Sequence, residues 1–493
     1  MALSLGGSHL SSRSGARSSD KLLFWALLAL LVWMPIPLGS NRAWAWGVLE
    51  AWSFLLVAAW LTLWSLGLAE ISEPLRRAWP AWIVLALWIA LQGLHLVPLP
   101  MAWIAALSPE AARVHSFANE IGVKQDMVTL SVEPNASRVS MLKTLAYVAD
   151  FFLVLALVNR RSRVLTLARV LVYSALVVSV YAVLMHLAGV QHQYFGIEIR
   201  HGDSASGTFV NRNHFAGYLE MTLAVGIGLL IASLSDRSAD TWKKFIRQAI
   251  EWILSPKMVL RLALCVLVIA LTTTHSRMGN TAFFSSLLVA GLIGIVLSRY
   301  ATRNTVLLLA SLIAIDLLVV GSWFGVEKLA KRIEETTVQE VQEREEPAAA
   351  TIDLIKDYPV FGSGAGTFYI VYPRYRKEQA TVFFDHAHND YFEFAADSGI
   401  VGLGLLGAFV TVSLGAALMA QWRRRDPLMR GMAFACVMGV TAILIHSWVD
   451  FNLQIPANAV LFMVLLALGW ISLYHDRHEG ADTIHAHTRT EDS

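Results

Sequence analysis

The sequence predicts an all-α polytopic membrane protein of about 12 transmembrane helices, with a large helical loop between spans 9 and 10. Three observations carry this. First, 56% of the 493 residues are hydrophobic and 15% are charged, with a mean hydropathy of +0.54, whereas soluble domains carry about a quarter charged residues. Second, the charges are crowded into short islands between apolar runs. Many runs approach the roughly 20 residues that a helix needs to cross about 30 Å of hydrocarbon. Backbone groups in lipid must bond within their own segment, so such runs are helices. Third, lysines and arginines collect in alternate connections, as the orientation rule for membrane proteins requires.

In chain order, residues 1–21 form a polar tail with Arg13, Arg17 and Lys21. No small-residue cleavage site follows, so the first apolar run reads as a retained helix rather than a signal peptide. The expected spans are 22–39, 44–68, 79–98, 140–158, 164–189, 214–233, 259–274, 280–298, 304–324, 397–420, 431–449 and 457–474. One set of connections holds Arg76 and Arg77, Arg160, Arg161 and Arg163, the 237–247 basic segment, Arg299 and Arg303, and Arg423, Arg424, Arg425 and Arg430. By the positive-inside rule that side, with both termini, is cytoplasmic. The tail at 475–493 falls there too. Two long connections lie on the other side: 99–139, and 325–396, which reads as a periplasmic subdomain between the bundle segments 22–324 and 397–474. In that second loop, 326–346 reads as a polar helix and 348–357 as an amphipathic one, followed by a glycine-punctuated turn in DYPVFGSGAGTF. Cys265 and Cys436 sit inside apolar runs and read as small hydrophobes. The net charge of +2 says nothing about nucleic acid, and with no RNA or DNA motif in the sequence no nucleic-acid partner is expected.

Orientation brings four polar motifs, distant in sequence, to one face. GTFVNRNHFAGYLE (207–220) opens the sixth span, with Arg200 just before it. THSRMGN (274–280) is a short hairpin tip. HAHNDY (386–391) ends the long loop, and SWVDFNLQIPAN (447–458) joins the last two spans. Charged residues at membrane depth are costly and usually line a cavity or a functional path. Each group also has a plainer reading. Arg277 in the tip either snorkels to the interface or grips a phosphate with its planar fork. Arg200 and Arg212 are either loop charges or phosphate ligands. Asn211 and Asn213 suit a helix cap, and Asp450 a cap or an arginine partner rather than a catalytic group. His214 and His275 accompany these motifs. For His386 and His388 three readings stand: a metal site with Asp390, proton transfer with Asn389 or Asp390 orienting the ring, or a loop without chemistry. Arginines plus a histidine opening onto lipid suit a lipid-linked diphosphate substrate, its leaving group neutralised by guanidinium and its attacking hydroxyl deprotonated by imidazole. A transporter is the competing class. Carriers, however, put polar residues at the midplane of broken helices, often in repeats, and neither feature is seen here.

Five segments together resemble the O-antigen ligases and related Wzy-type polymerases of bacterial envelopes: SVEPNASR (131–138), GTFVNRNHFAGYL, HSRMG, IKDYPVFGSGAGTF, and HAHNDYFEFAADSGIVGL. They cover about the last two thirds of the chain in the family's order. The resemblance implies that His388 is the essential loop histidine and His386 an accessory, and that Arg277 binds diphosphate. The family's second arginine usually lies near the GTF element. Here Ser204, Ala205 and Ser206 occupy the positions just before Gly207, which leaves Arg200 or Arg212 as substitutes. The implied reaction is glycosyl transfer, with inversion and without metal or cofactor, from an undecaprenyl-diphosphate-linked glycan to an acceptor hydroxyl. The acceptor is lipid A-core, another glycan repeat or a protein side chain, reached at the periplasmic face of the inner membrane among membrane lipids.

Overall fold

The computed structural model describes residues 20–120, 122–123, 125–189, 191–200, 204–233, 256–297, 306–307, 310–311, 349–376 and 384–475. Its frame is a set of long helices: α1 Lys21–Trp33, α2 Ala43–Ser65, α3 Trp79–Leu96, α4 Pro134–Leu157, α5 Arg161–Ala188, α6 Arg212–Ala232, α7 Pro256–Thr273, α8 Arg277–Leu297, α9 Asp390–Arg423, α10 Pro427–His446 and α11 Pro456–Tyr474. Among the described residues, nine helices are long and apolar enough to cross a membrane, and α1 and the end of α7 add two shorter apolar ones. An all-α polytopic membrane protein is therefore what the sequence folds into. The expected ninth span, 304–324, lies outside the described residues except for 306–307 and 310–311, which are helical. The expected polar helix 326–346 lies outside them as well. The amphipathic helix expected at 348–357 is present over 349–357.

Two helices start well before the hydropathy boundary, α4 at Pro134 rather than 140 and α9 at Asp390 rather than 397. α4 begins at Pro134 because Glu133 accepts the Ala136 N–H at 2.6 Å and proline fits the first turn. α9 begins at Asp390 because Asn389 accepts the Phe392 N–H at 3.0 Å. Capping side chains, not apolar content, set both boundaries.

Three helices form the centre. α6, α10 and α11 are 94%, 83% and 89% buried over their apolar windows, while every other candidate span is under half buried. α6 and α10 approach closely at Gly228 and Gly431. A Cβ added to Gly228 would lie 2.3 Å from the Gly431 carbonyl oxygen, the small-residue contact that lets membrane helices pack. At one end, Arg163 makes a two-pronged ion pair with Asp20 (2.7 and 2.8 Å). Arg161 reaches Asp426 at 3.3 Å, so part of the expected basic face is tied together there.

At the other end the two long connections pack on each other. Their shared core includes Ile104, Leu130, Leu354, Tyr358, Phe368 and Tyr372, all buried. A two-residue pair, β1 Leu99–Pro100 with β2 Met127–Val128, ties the first connection, and a β3 Gln191–Tyr194, β4 Ile197–Arg200 hairpin precedes α6. The glycine turn wedges between the first connection and α9. Val132 N–H bonds Ser363 O at 3.0 Å, and Gly364 N–H bonds Asp397 O at 2.9 Å.

Candidate active site

The site is assembled where α9 starts and where α10 hands over to α11. Asn389 caps α9 with its oxygen and donates its amide to Trp448 O at 2.8 Å. Asp390 clamps the same loop. Its N–H lies 3.0 Å from Ser447 O and 3.2 Å from Asp450 O, and its carboxylate accepts from Ser447 Oγ (2.7 Å) and the Leu453 N–H (3.1 Å). Both residues spend their polar atoms fixing loop 447–455 beside the histidine segment.

Three histidine rings then surround Phe451. His386 stacks on it with centroids 4.2 Å apart, and His214 and His388 approach edge-on at 4.5 and 4.9 Å. Asp450, fully buried, is the common anion of two of them, His214 and His388. Its Oδ1 lies 3.5 Å from His214 Nε2 and 3.9 Å from His388 Nδ1, and accepts the Phe451 N–H at 2.8 Å. His386 is held otherwise: its Nδ1–H donates to Glu393 Oε1 at 2.7 Å, while Glu393 Oε2 accepts the Ala387 N–H at 2.9 Å.

These environments split the two loop histidines. Burial opposes charging His386, but the Glu393 carboxylate, helped by Asp385 and Asp390, outweighs it and raises the pKa to about 9. At His388 burial dominates, with the neighbouring rings of His214 and His386 adding to it. Asp450 only partly compensates, and the pKa lies below the ordinary 6.5. Burial pushes the Asp450 carboxyl up, yet His214 and His446 hold it well below the usual carboxylate range. At pH 7 these shifts favour an imidazolium at 386, an uncharged imidazole at 388 and a carboxylate at 450. His388 also has φ of 49°, a left-handed backbone that a histidine adopts only when its surroundings enforce it. Its side chain keeps 38% exposure, which leaves it reachable.

The other expected residues fall around this centre. Arg277 is the exposed first residue of α8. Its tip is held against α6: a Cβ at Gly279 would lie 2.6 Å from Ala216 Cβ and 3.2 Å from Glu220 Oε1. The Ala205 N–H bonds Thr273 O at 2.9 Å and ties the GTF segment to the same tip. Arg212 is exposed at the start of α6. Asn211 is the cap of that helix, accepting the Asn213 N–H at 2.8 Å. His275 is exposed, with φ of 51°, its ring 5.9 Å from that of His186. Arg200 ends β4, and its side chain lies outside the described residues.

Sequence reasoning did not single out Glu220, His446, Glu393 or Phe451. His446 Nδ1 donates to Glu220 Oε1 at 2.8 Å, and both side chains are fully buried. Each alone carried a signal: an ionisable group in a largely apolar helix, a pattern that is functional by default in membranes. A cavity of about 160 Å³ lies between α3, α4, α9 and α11. It is mostly apolar with Lys143 and Asp397 in its wall, and it comes beside the histidine segment through Phe394 and Asp397 of α9 and Leu453 and Gln454 of the loop.

Residues 262–407 match the Wzy_C family model, described as O-antigen ligase. The match runs from α7 through the Arg277 tip and the histidine segment into α9, and it bears out the resemblance to the O-antigen ligase / Wzy-type superfamily. No curated protein is matched by the chain. On a multi-pass membrane protein, this match supports a membrane glycosyl transferase-type function.

Proposed function

We propose that this protein transfers a glycan from an undecaprenyl-diphosphate-linked donor to an acceptor hydroxyl at the periplasmic face of the bacterial inner membrane, as an O-antigen ligase or polysaccharide polymerase. His388 is the general base and Arg277 the diphosphate ligand. The observation that carries the reading is the reachable imidazole of His388 facing the buried Asp450 carboxylate at 3.9 Å, in surroundings whose burial favours the uncharged ring. A base must be unprotonated at working pH, and it gains from an anion that steadies the imidazolium it becomes.

In this scheme His388 takes the acceptor's hydroxyl proton while the oxygen attacks the anomeric carbon. The bond to the lipid diphosphate breaks as the new glycosidic bond forms, so the carbon inverts. The departing diphosphate gains charge, which a guanidinium fork at 277 neutralises better than a point ammonium would. Both termini then lie in the cytoplasm.

The test uses the purified protein in vesicles with a synthetic lipid-diphosphate glycan donor. His388→Gln lowers kcat by about 10²–10⁴-fold, the size of a general-base contribution, and leaves donor binding intact. Arg277→Lys weakens donor binding and turnover together. Full transfer by His388→Gln would overturn the base assignment.

A further inference from the structure

Glu220 and His446 take no part in the scheme above, yet they are the most deeply buried titratable pair next to it. Both have no exposure. A buried ion pair is weak evidence for stability, because desolvation offsets the attraction, and an apolar pair of similar volume often serves as well. Retaining one in α6 and α10, two of the three central helices, asks for another reason. Geometry supplies it. His446 stands between two carboxylates: Glu220 Oε1 lies 2.8 Å from its Nδ1, and Asp450 Oδ2 lies 4.0 Å from its Nε2. That Nε2 and that Oδ2 are both buried without a hydrogen-bond partner among the described residues. The other Asp450 oxygen faces His388 and His214. Asp450 is thus gripped from α6 by His214, from α10 by His446, and from the loop by His388, with Asp390 bonded to its backbone carbonyl.

We propose that Glu220 and His446 form a positioning dyad that holds the Asp450 carboxylate in place for His388. Glu220 fixes the ring of His446 through Nδ1, and the ring presents Nε2 to Asp450. The order carboxylate–imidazole–carboxylate–imidazole runs from the membrane interior to the reachable ring of His388. Neither dyad residue touches substrate. Their effect passes through Asp450, so it appears in turnover rather than in binding. This inference rests on His388 being the base.

The test is a double-mutant cycle in the vesicle assay. Glu220→Gln keeps an oxygen for the Nδ1 hydrogen bond and removes only the charge. It lowers kcat by about ten-fold, part of the general-base contribution, and leaves the donor KM within about two-fold. Combined with Asp450→Asn it adds nothing, because the path it acts through is already cut. If Glu220→Gln alone does not fold, the paired variant Glu220→Gln/His446→Gln, which removes both partners together, is measured in the same cycle. An unchanged kcat, a loss expressed in KM, or a loss fully additive with Asp450→Asn would overturn the dyad. Those results with His388→Gln inactive would sink only the dyad, whereas an active His388→Gln would remove the base reading itself.

Discussion

At the scale of single residues, the chain sets two histidines two positions apart to opposite tasks. His388 is left mostly to burial, and His386 is captured by Glu393. The capture has a consequence for stability that does not depend on any reaction scheme. A histidine whose folded pKa stands at about 9 against an unfolded value near 6.5 binds its proton more tightly in the folded state. Its contribution is complete below about pH 6.5, and it is lost as pH rises through about 9. The melting temperature of the wild-type protein in detergent therefore falls between these limits relative to Glu393→Gln. The variant keeps the acceptor for the Ala387 N–H, lacks the charge, and starts lower at pH 6.5. A difference between the two proteins that stays constant from pH 6.5 to 9 would remove the ion pair from the account.

At the scale of elements, the break in α9 shows what patterning conveys and what it omits. The glycine turn of DYPVFGSGAGTF and the apolar run after HAHNDY were both legible, since composition is local. Their docking was not. Gly399 interrupts α9 with φ 65° and ψ −174°, a region essentially closed to other residues. The Ile400 and Val401 N–H groups then bond the carbonyls of Pro359 and Val360 at 3.0 and 3.2 Å. A Cβ at 399 would lie 2.1 Å from Val360 O, whereas one at Gly407 in the same helix meets nothing within 4 Å. Gly399→Ala accordingly destabilises by about 2 kcal/mol or more, from strain of about 1–3 kcal/mol plus the clash. Gly407→Ala is neutral or gains up to about 1 kcal/mol of helix propensity. Thermal unfolding of both variants in the same detergent separates them. The pairing of Glu220 with His446 was illegible for the same reason as the docking. Glu220 and His446 are 226 positions apart, and no local window contains both. By contrast, the HAHNDY and SWVDFNLQIPAN motifs were each visible alone, and only their clamp through Asp390 had to wait for the fold.

At the scale of the whole molecule, one end of the bundle carries the histidine cluster, the Arg277 tip and the shared core of the two long connections, and the other end carries the Arg163–Asp20 and Arg161–Asp426 pairs. Hydropathy and charge predicted such a division, because lipid and the positive-inside rule act on whole segments rather than on partners. If the histidine end faces the periplasm, an exposed residue of the first long connection is open to a membrane-impermeant maleimide in intact cells, and an exposed residue at the basic end is not. Trp103 and Arg76 are suited to the comparison, with Trp103 62% exposed and the Arg76 side chain 68% exposed. The background replaces the two native thiols, Cys265 and Cys436. In it, Trp103→Cys is labelled in intact cells after outer-membrane permeabilisation alone. Arg76→Cys is labelled only once the inner membrane is opened. The reverse pattern would put the histidines in the cytoplasm, where nucleotide-activated donors are at hand and a lipid-linked donor is no longer required, so the orientation and the choice of substrate stand or fall on the same pair of labels.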